Sequence, residues 1–167
     1  MMAKKIGAGA VAGLVGGLVS ALLLQLVHVW TDTGVREPAM RLVTGAVHAT
    51  TGAIGWLAYL LYAVIIGGLF GWLLWKQDVD EGTGLAWGAL YGAFWWIASG
   101  LVVIPALRGI APFTPAAIDV VRVASFPWFA AMIVDGLVLG GVFAMLARRL
   151  TARAETGVAA SPTRRAA

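Results

Sequence analysis

Four long apolar runs, separated by short stretches that hold nearly all the charge, set the pattern of this chain. Residues 6–30, 53–75 and 84–107 carry no Asp, Glu, Lys or Arg, and 126–147 carries only Asp135. A helix needs roughly 20 apolar residues to cross a bilayer, so each run is long enough to be a spanning helix. The first run follows Met-Met-Ala-Lys-Lys, which resembles the start of a signal peptide. Its apolar stretch is well beyond the roughly 7–15 residues of a signal core, and no clear small-residue cleavage site follows. It is expected to stay as a helix.

Small residues recur inside these runs. Gly9, Gly13 and Gly17 return at the same spacing as Gly84, Gly88 and Gly92, and Ala63, Gly67 and Gly71 return as Gly136, Gly140 and Ala144. Gly67-Gly68-Leu69-Phe70 is echoed in Gly140-Gly141-Val142-Phe143. A period of about 75 residues is too long for a solenoid unit and suits a duplicated helical hairpin. All four motifs are small-xxx-small patterns, which let membrane helices bring their backbones together. The segments between paired spans also correspond. Glu37-Pro38-Ala39-Met40 and Thr114-Pro115-Ala116-Ala117 each place proline after a plausible cap, as at a helix start. Short helices over 41–49 and 118–125, lying on or tucked into the interface, are therefore predicted.

The expected fold is an all-α membrane protein with four transmembrane helices. They form a duplicated two-span unit (span, outer interfacial helix, span) with repeats over 6–76 and 84–149, joined by an inner loop at 76–83. Two spans per repeat give both copies one orientation and a pseudo-twofold axis along the membrane normal. Residues 1–150 form one domain, and 151–167 form a disordered tail.

Composition sharpens this. Hydrophobic residues make up 60% of the 167 and charged residues 12%, too few to coat a soluble surface. Mean hydropathy is +0.88. The net charge of +4 comes from flanks: Lys4 and Lys5 precede the first run, and Arg148, Arg149, Arg153, Arg164 and Arg165 follow the last. No aromatic or glycine-rich binding pattern accompanies them, so nucleic acid is not the expected partner. The expected partners are the lipid bilayer and either a second copy or another membrane protein. Lys4, Lys5, Lys76 and the tail arginines outnumber Arg36, Arg41, Arg108 and Arg122 on the other side. The positive-inside rule then places both termini in the cytoplasm, with the chain in a bacterial inner membrane. Trp30, Trp56 and Trp128 fall at the outer ends of the spans and Trp72, Trp75 and Trp87 at the inner ends, as interfacial belts. With no cysteine there is no disulfide, thiolate metal site or catalytic thiol.

The glycine stripes lie in the inner halves of the spans, whereas Gln25, His28, Tyr59, Tyr62, Ser99 and Asp135 lie toward the outer halves. A bundle pinched inside and splayed outside would leave a shallow outward cavity, lidded by the surface helices. Alternatively, bulky outer residues simply fill that space. Asp135 is the sharpest candidate. An ionisable group near the bilayer centre is costly and faces the bundle interior or water. It either binds or passes a proton or ion, or it is protonated glue hydrogen-bonded to Trp95, Trp96 or Tyr62. Tyr62 occupies in the first copy the place of Asp135 in the second. Gln25 and His28 are three apart and would share a helix face, or else sit at the interface as snorkelling or capping groups. His28 and His48 are peripheral and unduplicated, so no haem or metal is expected. No strand precedes the glycines of 9–17, and no nucleophile–base set is visible. No enzyme activity and no cofactor are expected.

Trp87-Gly88-Ala89-Leu90-Tyr91-Gly92, Trp95-Trp96, Pro105, Leu107 and the 136–146 run resemble the small bacterial inner-membrane proteins typified by YagU. The resemblance covers about the second half of the chain. It implies membrane class and compartment, with at most an association with acid stress, and it lends no catalytic residue. Asp135 stands where that family leads one to expect a histidine or other polar residue. Two functional expectations follow: a non-enzymatic, small-solute or proton-linked protein centred on Asp135, or an accessory subunit docking through its glycine stripes.

Overall fold

The computed structural model describes residues 1–30 and 34–159, excluding the side chains of 30, 115–127 and 153–159. The chain runs through α1 (Met2–Leu26), a hairpin of β1 (His28–Trp30) and β2 (Arg36–Pro38), α2 (Met40–Ala46), α3 (Gly52–Leu73), α4 (Glu81–Ala98), a π-helical turn (Ser99–Val103), α5 (Ile104–Leu107) and α6 (Pro115–Ala159). Four stretches, Met2–Leu26, Gly52–Leu73, Glu81–Leu107 and Trp128–Ala152, are long and apolar enough to cross a membrane.

Side-chain size decides what is inside. The buried face of α1 is Ala8, Gly9, Ala12, Gly13, Gly16, Gly17, Ser20, Ala21 and Leu24, while Leu14, Leu18 and Leu22 point outward. On α3, Leu57, Leu61 and Ile65 are 68, 63 and 55% exposed. Small residues inside and large apolar residues outside is the reverse of a water-soluble core. An apolar surface this extensive needs a lipid solvent.

The glycines set the pairing. α1 packs against α3 and α6, and α6 against α1 and α4. A Cβ on Gly13 would collide with the Ala63 carbonyl and come within 2.8 Å of Gly67 Cα. One on Gly88 would collide with the Gly136 carbonyl and lie 3.1 Å from Gly140 Cα. Backbone therefore meets backbone along α1/α3 and again along α4/α6. α3 and α4 meet differently, through rings. Phe70 and Tyr91 centroids lie 5.0 Å apart, Tyr62 and Trp95 5.9 Å, and the Tyr91 hydroxyl donates to the Ile66 carbonyl at 2.8 Å.

One end of the bundle, here the basic end, gathers Lys4, Lys5, Arg148 and Arg149. Lys5 Nζ donates to the Gln77 carbonyl at 2.7 Å, and Arg148 pairs with Glu81 at 2.6 Å. Asp80 caps α4 by accepting the Thr83 N–H at 2.7 Å, and that bond holds its carboxyl below the usual range. Phe70, Phe143, Leu74 and Leu139 fill the core at this end.

Several expectations are corrected. The first helix stops at Leu26 rather than reaching 30. Val27 is already extended, and the β-branched and aromatic residues beyond it pair His28 with Pro38 and Trp30 with Arg36. A small hairpin thus joins an otherwise helical fold. Pro38 closes β2 instead of starting a helix, and α2 begins at Met40 without a side-chain cap. The expected second surface helix over 118–125 is not separate, because α6 runs unbroken from Pro115 into the last span. The same helix continues to Ala159, so 151–159 is not a disordered tail, and 160–167 lie outside the described residues. The third span is interrupted. Pro105 has no N–H for the Leu101 carbonyl and its ring crowds that carbonyl, so the preceding turn widens. Ile104 N–H reaches back to Ser99 O, and the Leu101 carbonyl accepts the Phe113 N–H at 3.3 Å.

Candidate functional site

The site is built where the two glycine-paired hairpins face each other. Gly136 uses one face of α6 to meet Gly88 and Gly92. Asp135, one residue earlier, is turned by about 100° and meets α1 instead. It fits there because Gly16 has no side chain: a Cβ on Gly16 would lie 2.6 Å from Asp135 Oδ1 and 2.9 Å from its carbonyl oxygen.

From the opposite side, α3 contributes Tyr59 and Tyr62, and α4 contributes Tyr91 and Trp95. Asp135 lies within electrostatic reach of all three tyrosine hydroxyls. Trp95 stands edge-on to both Tyr62 and Tyr91, at centroid distances of 5.9 and 6.0 Å. Ser99 opens the π turn, fully buried, and bonds back to the Trp95 carbonyl. The Tyr62 hydroxyl faces Ser99 without reaching hydrogen-bond geometry.

Hydrogen bonding divides this cluster into a satisfied part and an unsatisfied part. Tyr59 Oη and Ser20 Oγ bond at 2.8 Å, and Ser20 also donates to the Gly17 carbonyl. Asp135 Oδ1, Tyr62 Oη and Trp95 Nε1 are buried with no hydrogen-bond partner in the protein, as is Trp128 Nε1. Each such group costs about 1–3 kcal/mol when buried unpaired. The hydrogen bonds that one of the two readings of Asp135 would have it make to Tyr62, Trp95 or Trp96 are not formed at Oδ1. Trp96 turns away and packs on Phe129 at 5.1 Å.

A cavity of about 80 Å³ opens beside the cluster toward the hairpin end. Tyr59, Tyr62 and Ser99 lie in its wall, Val43 and Ala46 of α2 and the adjoining Val47 cover it, and Ile104 and Trp128 close its sides. Its wall is almost wholly apolar apart from those hydroxyls. The π turn matters here, because widening the helix at Ser99 sets α5 apart from the line of α4. Of the two arrangements open from the sequence, a filled end or a cavity, the structure has a cavity at the hairpin end with α2 over it.

The remaining candidates lie elsewhere. Gln25 is exposed on the last turn of α1, and His28 sits exposed on β1 with Nδ1 3.1 Å from the Leu26 carbonyl. Because the helix ends between them, they share no helix face. Trp128 is 7% exposed, its ring packed in the core beside the cavity. Trp72 is 51% exposed, and Lys76 Nζ lies 5.1 Å from the Trp75 ring. Trp30's side chain lies outside the described residues. Among the described residues no three His, Asp or Glu side chains gather as metal ligands.

Gly16, Ser20 and Tyr91 join the site without having been singled out. Ala8, Ala12, Gly16 and Ser20 form a second small stripe on α1, parallel to Gly9, Gly13 and Gly17, and that doubled pattern was readable. Comparison of the chain with family models, with curated proteins and with solved structures found no match.

Proposed function

We propose that this is a proton-linked or small-solute membrane protein whose working group is Asp135. One observation carries the proposal. An acceptor on Asp135, a hydroxyl on Tyr62 and an N–H donor on Trp95 are buried close together and bond to nothing in the protein. Their chemistries are complementary, yet they do not meet one another. A small guest able to donate and accept, such as water, hydronium or a small polar solute, would satisfy them together. The cavity beside Tyr62 and Ser99 supplies an approach from the hairpin end. Between the cluster and the basic end the interior is packed with Phe70, Phe143 and glycine contacts.

The bundle is read as two copies of one hairpin. Gly9 faces Gly67 and Gly71 as Gly84 faces Gly140 and Ala144; Gly13 faces Ala63 and Gly67 as Gly88 faces Gly136 and Gly140. By the excess of Lys and Arg there, the basic end faces the cytoplasm of a bacterial inner membrane, and the cavity opens outward. The accessory-subunit alternative loses its main support, because all four glycine stripes are consumed within the chain.

Proton flux into vesicles carrying the purified chain tests this. Asp135→Asn keeps the shape and removes the titrating group, so flux should fall at least tenfold. No flux in wild type would remove the transport role. Flux unchanged in Asp135→Asn would leave a pore in which Asp135 plays no part.

A further inference from the structure

The basic end has a second feature, apart from the Asp135 cluster. Residues of α1 and α6 line a groove of about 290 Å³ there. Lys4 and Arg149 stand at its rim, and Gly7, Val11, Leu146 and Leu150 form its apolar walls. Four of the basic side chains at this end, two on α1 and two on α6, divide cleanly. Lys5 is engaged by the Gln77 carbonyl and Arg148 by Glu81. Lys4 and Arg149 make no ion pair or hydrogen bond among the described residues, and no described carboxylate lines the groove.

Two unpaired cations above an apolar trough match one ligand chemistry: an anionic phosphodiester joined to a hydrocarbon chain. Gly7 shapes the trough. A Cβ there would meet nothing within 4 Å, so the glycine serves no helix contact and leaves open space under the cations. Val11, 53% exposed, continues the apolar wall down the lipid-facing side. We propose that this groove binds an anionic phospholipid of the adjoining leaflet, with the headgroup phosphate between Lys4 and Arg149 and an acyl chain along Val11 and Leu146. Basic pockets between spanning helices recognise anionic headgroups in this way. Neither Asp135 nor its neighbours touch the groove, so the site stands or falls independently of proton flux.

The test is a lipid titration of the detergent-purified full chain, followed by native mass spectrometry. Phosphatidylglycerol should be retained about thirtyfold better than phosphatidylcholine, as two cations near a headgroup would give. Lys4→Gln with Arg149→Gln should abolish that preference, while Lys76→Gln, outside the groove, should leave it intact. Gly7→Leu fills the trough without touching charge or any packed neighbour. It should weaken phosphatidylglycerol binding severalfold at unchanged thermal stability. No preference in wild type, a preference surviving the double variant, or one lost equally in Lys76→Gln would overturn the site. Displacement of the lipid by millimolar inorganic phosphate would show a free-phosphate site and overturn the lipid assignment.

Discussion

Tyr59 and Tyr62 lie one helical turn apart on α3, both facing the bundle interior, yet their hydroxyls have opposite circumstances. Tyr59 Oη is bonded to Ser20 and Tyr62 Oη to nothing. A bonded buried hydroxyl contributes about 1 kcal/mol, whereas an orphaned one is a liability. Tyr59→Phe should therefore lower stability by about 1 kcal/mol in detergent unfolding and leave flux near wild type. Tyr62→Phe should leave stability unchanged or slightly raised and depress flux severalfold. Equal stability losses would mean that Tyr62 is already satisfied, and the guest-binding cluster would dissolve. From sequence, Asp135 was recognisable because one carboxyl in 22 apolar residues is costly on any helix face. Tyr62 and Trp95 were also legible, through the repeat and through the need of a buried ring N–H or O–H for a partner, but the rest of the cluster was not. Tyr91 and Ser20 join it only through the way α1, α3 and α4 are arranged around α6, and periodicity along one helix carries no information about that.

At the scale of the helices, glycine position separates structural from dispensable. Gly13 and Gly88 press on opposing backbone, which cannot move aside as a side chain can. Gly13→Ala and Gly88→Ala should each cost about 1–3 kcal/mol, measured by thermal unfolding, because an added methyl must force two helices apart. Gly7→Ala and Gly68→Ala face open or loosely filled space and should be neutral to slightly stabilising through helix propensity. Uniform losses at all four positions would show that helix flexibility, not close approach, is what glycine supplies. The spans and their small-residue stripes were legible because length, hydropathy and spacing are properties of a single helix. The interruptions were less so. Pro105 marks a bend in any helix, but a π turn at Ser99 rather than a simple kink depends on Phe113 folding back to the Leu101 carbonyl. The hairpin after Leu26 depends likewise on Arg36–Pro38 returning to pair with His28–Trp30, a contact between two stretches that each look like ordinary linker.

For the molecule as a whole, the arrangement of interfaces suggests two units rather than four independent helices. α1 with α3, and α4 with α6, each close through their own glycines. The units then meet through the small stripe of α1 against α6 and through aromatic rings between α3 and α4. Interhelical contacts of this kind form after insertion, without a hydrophobic drive between helices. A break in the loop between Lys76 and Gln77 severs no glycine contact. Fragments 1–76 and 77–167, co-expressed with a tag on one only, should therefore insert separately and co-purify. Gly16→Leu in the first fragment places a side chain where Asp135 rests, and it should abolish recovery of the second fragment while leaving membrane insertion of both intact. Gly7→Leu, facing open space, should not. If the fragments insert but never co-purify, the loop's covalent link and the Lys5–Gln77 bond hold the halves together, and the bundle is a single unit. If Gly16→Leu recovers its partner as well as wild type, the α3/α4 rings carry the union. Asp135 would then sit at a seam loose enough to open without dismantling either glycine-paired hairpin.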